Sequence, residues 1–172
     1  MKIAFVTIGD TRDIKRGSGT PYHLWQELLR QGHTAHLVGP LRVKTPFLTR
    51  FFKWMSTRMG KRYLSYRDPF MGRALGLAAG RALAGLDVDV VLTNDYCLAG
   101  YTPVSKPIVL YTDSSFPHRY AENLHPWQAN LPWFGVFFCR HTTALGLKKA
   151  ARCFFASQHA AQEAEKYPKT AK

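Results

Sequence analysis

Three short stretches carry residue types that can do chemistry. Gly17-Ser18-Gly19 lies just ahead of an amphipathic run that opens at Thr20-Pro21. Neither glycine has a Cβ, so backbone can come close to a ligand there. The unsatisfied N–H groups of a helix start favour an anion such as phosphate. The spacing matches neither the dinucleotide fingerprint nor the P-loop, and a turn that simply needs two glycines is the plainer alternative. Asp113 and His118 share one segment after an apolar run. A carboxylate and an imidazole so placed can move a proton or position a hydroxyl, and Arg119 beside them can hold an anionic group. The alternative is a helix-capping carboxylate next to an exposed histidine. Asn94-Asp95 follows another apolar run and reads as a substrate- or acceptor-binding pair.

These residues act together only if the chain brings them together. Apolar runs at 3–8, 35–39, 88–93, 107–111 and 152–156 read as strands. Helical segments are expected at 20–31, 75–83 and 133–150, with a further helix capped by Ser157 and running to about Tyr167. In the first helix Leu24, Trp25, Leu28 and Leu29 form one stripe. Ser18 or Thr20 can cap it, Pro21 suits its first turn, and Gly32 suits its stop. Short apolar strands alternating with helices predict an α/β fold, a parallel sheet with helices on both faces. Ligands of such sheets gather beyond the C-terminal strand ends. The loop 9–20, the Asn94-Asp95 turn, the loop 112–120 and Ser157-Gln158 are therefore expected on one rim.

Composition fits this reading. The chain has 172 residues, suited to one domain, and 46% are hydrophobic, enough for a real core. Cys97, Cys139 and Cys153 are widely spaced, an odd count without a zinc pattern. This predicts a reducing, cytoplasmic setting. His23, His33 and His36 converge on no metal pattern and read as structural or surface residues. No secretory leader is recognisable, and no apolar run approaches the roughly 20 residues of a membrane span.

The outlier is a formal net charge of +13. Charge of this sign speaks to partners rather than fold: nucleic acid, an anionic membrane surface or a phosphorylated substrate. It concentrates at 41–73, where Arg50, Lys53, Arg58, Lys61 and Arg62 interleave with Phe47, Phe51, Phe52, Trp54 and Met59, and the single acid is Asp68. At helical spacing Phe47, Phe51, Met55 and Met59 line up four apart, with Leu48 and Phe52 beside them. A basic amphipathic helix carrying Trp and Phe is the pattern of an interfacial membrane helix. A core helix with a solvated basic face is the alternative. Nucleic acid ranks below both, because no RNA- or DNA-binding motif accompanies the segment.

In order and spacing, Lys2-Ile3-Ala4-Phe5-Val6, the Gly17-Ser18-Gly19-Thr20-Pro21 turn and the helix from Leu24 to His33 resemble the N-terminal domain of family 4 glycosyltransferases. So do Leu110-Tyr111-Thr112-Asp113-Ser114-Ser115-Phe116 and the run from Ala150 to Ala161. The resemblance implies a Rossmann-like domain, the N-terminal half of a retaining GT-B enzyme. Residues 1–172 would be its acceptor-side domain, and the C-terminal donor domain, with its acidic motif, would be absent from the chain. Such a chain would transfer a sugar from a nucleotide-sugar to an acceptor hydroxyl only when joined to that domain. By the same resemblance Gly17, Ser18 and Gly19 approach the donor phosphates, and Asp113 and His118 sit beside the acceptor or the reacting sugar. Asn94, Asp95 and Arg119 would face the acceptor. The resemblance implies no metal, helix dipoles and basic side chains serving instead, and no cofactor besides the nucleotide-sugar co-substrate. The acceptor would be a sugar or a lipid-linked one. Phe51, Phe52, Lys53, Trp54, Arg58, Lys61 and Arg62 would rest on the inner face of a membrane. The alternative function is a non-catalytic Rossmann-like module that binds an anionic partner or membrane through its basic face.

Overall fold

In the computed structural model, which describes residues 1–116 and 129–167, five strands pair into one sheet. They are β1 (Lys2–Val6), β2 (Thr34–Val38), β3 (Val90–Thr93), β4 (Ile108–Thr112) and β5 (Arg152–Phe155). The order is β2-β1-β3-β4-β5, and every pairing is parallel. The helices are α1 (Thr20–Arg30), α2 (Phe47–Arg58), α3 (Pro69–Leu83), α4 (Tyr96–Tyr101), α5 (Trp133–Lys149) and α6 (Gln158–Glu165). This is the doubly wound, Rossmann-like α/β architecture that the alternation of apolar runs and helices predicts.

Alternation along each strand divides its side chains between two faces. Ile3 and Phe5 of β1 and Leu92 of β3 pack beneath Leu24, Trp25 and Leu28 of α1. Leu29 falls on the flank of that helix and is 41% exposed, so the stripe is narrower than its sequence suggests. On the other face Ala4, Val6, Val91 and Leu110 meet Leu75, Ala79 and Leu83 of α3 and the residues Tyr96 to Ala99 of α4. α5 lies against α4 and closes that side. Phe52 of α2 joins the layer through rings, with centroids 5.9 Å from Phe70, 5.2 Å from Phe134 and 5.0 Å from Phe138.

Helix starts follow local chemistry. The fully buried Asp68 caps α3: its Oδ1 accepts from the N–H groups of Phe70 (2.6 Å) and Met71 (2.9 Å). Its Oδ2 accepts from the Tyr63 hydroxyl at 2.9 Å. α3 therefore begins at Pro69 rather than near 75, with proline in its first turn. Ser157 caps α6 as expected, accepting from Ala160 N at 3.2 Å. α1 departs from expectation. Its cap position is Gly19, and neither Ser18 nor Thr20 supplies a side-chain cap.

Candidate functional site

The chain leaves β1 for β2 on one side and later places β3 on the other, so the strand order reverses at β1. Connections diverge there and leave a crevice beyond the C-terminal strand ends. A cleft of about 490 Å³ occupies that place. β1 and its loop supply Thr7, Ile8, Gly9, Asp10 and Thr11; the approach to α1 supplies Arg16, Gly17 and Pro21. Asn94 and Asp95 come from the end of β3, and Tyr66 from the turn before α3.

Hydrogen bonds fix these walls. The buried Thr7 hydroxyl donates to Gly9 O at 2.8 Å, and the Thr7 and Thr11 hydroxyls lie 2.8 Å apart. The two carboxylates are held alike. Asp10 Oδ1 accepts from Arg12 N at 2.9 Å, and Asp95 Oδ1 accepts from Cys97 N at 2.9 Å. Each is oriented through one oxygen, and the Asp95 carboxylate also faces the Cys97 thiol and the buried Arg67 guanidinium. Arg16 folds back over Gly9, where a Cβ would come within 3.3 Å of its Cδ and Nη1. Its Nε lies 3.5 Å from Asp13 Oδ2. Burial pushes the Tyr66 phenol above its ordinary value, so it is a neutral donor at physiological pH.

The glycine turn beside the cleft is left-handed at three successive residues. Gly17, Ser18 and Gly19 have φ of 55°, 54° and 77°. Glycine adopts this region at no steric cost, whereas Ser18 does so against the preference of L-residues. A Cβ on Gly19 would meet His23 Cδ2 at 3.2 Å and Ile14 O at 3.3 Å. Of the three turn residues expected to face phosphate, Gly17 lines the cleft. Ser18 is exposed, and Gly19 is buried at the helix start.

Asn94 and Asp95 reach the cleft as the sequence suggests. The turn they form is also the start of α4, a six-residue helix too short for its periodicity to show in sequence. Asp113 stands exposed just past β4, on the same rim but outside the cleft wall, and accepts from the Ser114 hydroxyl at 3.3 Å. His118 and Arg119 lie outside the described residues. Asp10, Arg16 and Tyr66 escaped the sequence reading. Asp10 could have been found, since Gly9-Asp10 follows β1 much as Asn94-Asp95 follows β3. Tyr66 carries no such signal, because only the fold of the 39–69 excursion brings it to the rim.

The basic segment folds as α2 and the turn beyond it. Phe51, Lys53, Trp54, Arg58 and Arg62 are exposed, Lys61 is intermediate, and Phe52 points into the protein. Among the described residues no three His, Cys, Asp or Glu side chains stand close enough together to hold a metal ion. Cys97 and Cys139 are buried in the core, and burial pushes the Cys139 thiol up to about 12.

The chain matches no protein-family model, no curated protein and no solved structure.

The cleft pairs two kinds of wall. Asp10, Asn94 and Asp95 present acceptors and an amide suited to hydroxyl groups. Arg16 and the Gly17 backbone present positive charge and a close main-chain approach suited to an anion. A ligand rich in hydroxyls that also carries a phosphate would satisfy both.

Proposed function

We propose that this chain is the acceptor-side half of a retaining glycosyltransferase, active when joined to a donor-side domain. The observation that carries the reading is the cleft at the strand reversal, with carboxylate and amide on one wall and arginine and glycine backbone on the other. The resemblance of the opening unit, the Asp113 loop and the β5–α6 unit to family 4 glycosyltransferases supports it.

In this reading Asp10, Asn94 and Asp95 bind the hydroxyls of the acceptor and hold one of them toward the anomeric carbon. Arg16 and the Gly17 backbone face the donor phosphate across the cleft. Transfer breaks the bond between the anomeric carbon and the phosphate oxygen and forms one to the acceptor oxygen. The nucleotide leaves with the bonding electron pair, and the proton of the acceptor hydroxyl passes to the departing phosphate oxygen. Charge developing on the leaving phosphate is where fixed positive groups lower the barrier most. Asp113, with His118 and Arg119 a few residues further along the sequence, is proposed to serve the acceptor side.

The test uses the chain together with the donor-side domain expected downstream, supplied with nucleotide-sugars and candidate acceptors. Asp95→Asn and Arg16→Ala are expected to lower kcat/KM by about 10²-fold while circular dichroism and the thermal midpoint remain those of the parent. Transfer at parental rates in both variants would remove the cleft from the reaction.

A further inference from the structure

α2 turns Thr49, Phe52 and Ser56 inward. Thr49 and Ser56 are completely buried. The Thr49 hydroxyl has no partner among the described residues, and the Ser56 hydroxyl donates back to Phe52 O at 2.8 Å. The outward side carries Phe47, Leu48, Phe51 and Trp54, which are 76%, 44%, 43% and 58% exposed. The start of α5 adds Trp133 at 78% and Phe137 at 60%. Ring contacts run through Trp54, Phe51, Phe52, Phe134 and Trp133 at centroid spacings of 6.3, 5.5, 5.2 and 5.7 Å. The two exposed groups therefore flank one aromatic cluster, joined through the inward-turned Phe52 and the buried Phe134. Folding gains nothing from presenting such a surface to water, so its use lies in contact with something else.

Charge identifies the contact. Between residues 41 and 86, and again between 129 and 162, the only acid is Asp68. It is wholly buried, and both its oxygens are engaged by the α3 cap and Tyr63. The exposed Lys53 and Arg58 flank the aromatic surface without an ion-pair partner among the described residues, and the Arg58 guanidinium lies 5.5 Å from the Trp54 ring centroid. The matching partner is apolar within and anionic at its edge. A bilayer of acidic phospholipid has this profile: indole and phenyl rings seat at the headgroup boundary while cations meet phosphates. A nucleic acid would answer the cations, but it would leave Leu48 and the outermost Phe47 without a role.

We propose that α2 and the first turns of α5 seat this protein in the interface of an anionic membrane, lying on it rather than crossing it. No described helix is long and apolar enough to cross. The placement does not depend on the ligand assigned to the cleft. α3 and α5 run back along the parallel strands, so their first residues stand at the C-terminal rim. Arg62 N donates to Asn130 O at 2.9 Å, tying the exit of α2 to the segment that opens α5. The membrane-facing surface and the cleft therefore share one end of the sheet.

Co-sedimentation with phosphatidylcholine vesicles, with and without phosphatidylglycerol, tests this in three forms of the full chain. They are the parent, Phe51→Ser/Trp54→Ser and Lys53→Gln/Arg58→Gln, each confirmed as folded by its thermal midpoint. The parent is expected to bind only the anionic vesicles, more weakly as salt rises, with a blue shift of tryptophan emission. Each double variant is expected to bind about tenfold more weakly or worse, and the aromatic pair to lose most of the blue shift. Three results would overturn the proposal: no binding to anionic vesicles at low salt, binding indifferent to the aromatic pair, or tighter binding to a single-stranded oligonucleotide than to vesicles. Self-association abolished by the aromatic pair, without vesicle binding, would assign the surface to a second copy of the chain.

Discussion

α1 and α2 are both amphipathic helices with an aromatic-containing apolar stripe, and they use that stripe in opposite ways. α1 lays Leu24, Trp25 and Leu28 on the sheet. α2 buries Thr49, Phe52 and Ser56 and leaves Phe47, Phe51 and Trp54 in solvent. The difference follows from the ground beneath each helix. α1 spans β1 to β2 and supplies the helical side chains that pack on Ile3, Phe5 and Leu92. α2 lies in the excursion from β2 to α3, where the sheet is already covered by α3, α4 and α5 and one inserted ring suffices. An apolar stripe states that a helix will be covered. The rest of the fold decides whether by the protein itself.

The contrast can be sharpened at the base of the α2 excursion. Asp68→Ala removes the α3 cap and strands the Tyr63 hydroxyl, so a loss of about 2–4 kcal/mol is expected in urea unfolding. At the entrance to α1, Gly19→Val places a β-branched residue at φ 77° against His23 and Ile14. A loss of about 1–3 kcal/mol is expected, and a thermal midpoint equal to the parent's would show that the turn relaxes freely. Thr49→Val replaces an unpartnered buried hydroxyl with a methyl group. It is expected to raise stability by up to about 1 kcal/mol, whereas a marked loss would mean that the polar inner side of α2 is required.

The smallest effect lies at the end of α1. Arg30 and then Gln31 hydrogen-bond the Glu27 carboxylate and hold its pKa down to about 2. A depressed carboxylate contributes stability that is full above the ordinary glutamate value and is lost as pH falls toward 2. Glu27→Gln should therefore change the urea midpoint slightly at pH 7 and leave it unchanged near pH 2. A larger effect in acid than at neutrality would contradict that sign.

The strands were legible to within two residues because each is a compact apolar run bounded by Gly, Pro, Asn, Asp or Ser. Their parallel pairing followed from the helices between them. α4 was not legible, since six residues show no period and Asp95 looks the same in a turn as at a cap. Part of the cleft was visible as Gly17, Asn94 and Asp95, which lie just past a strand or shortly ahead of a helix. Tyr66 was not, because backbone folding over a distance carries it to the rim, and Arg16, although it adjoins the glycine turn, is one cation among 24 lysines and arginines. The facing of α2 was equally out of reach: Phe47, Phe51 and Met55 repeat at helical spacing whether water, protein or lipid lies beyond them.

One paired measurement bears most directly on the contrast between the helices. Leu24→Ala/Leu28→Ala in α1 and Phe51→Ala/Trp54→Ala in α2 would each be measured for thermal midpoint and for partition onto anionic vesicles. The expected result is a crossing. The α1 pair lowers stability by about 2–4 kcal/mol with little change in partition per folded molecule. The α2 pair stays within about 0.5 kcal/mol of the parent and loses most of its partition. An α2 pair that unfolds as readily as the α1 pair, with partition unchanged, would mean that the aromatic stripe of α2 serves the fold.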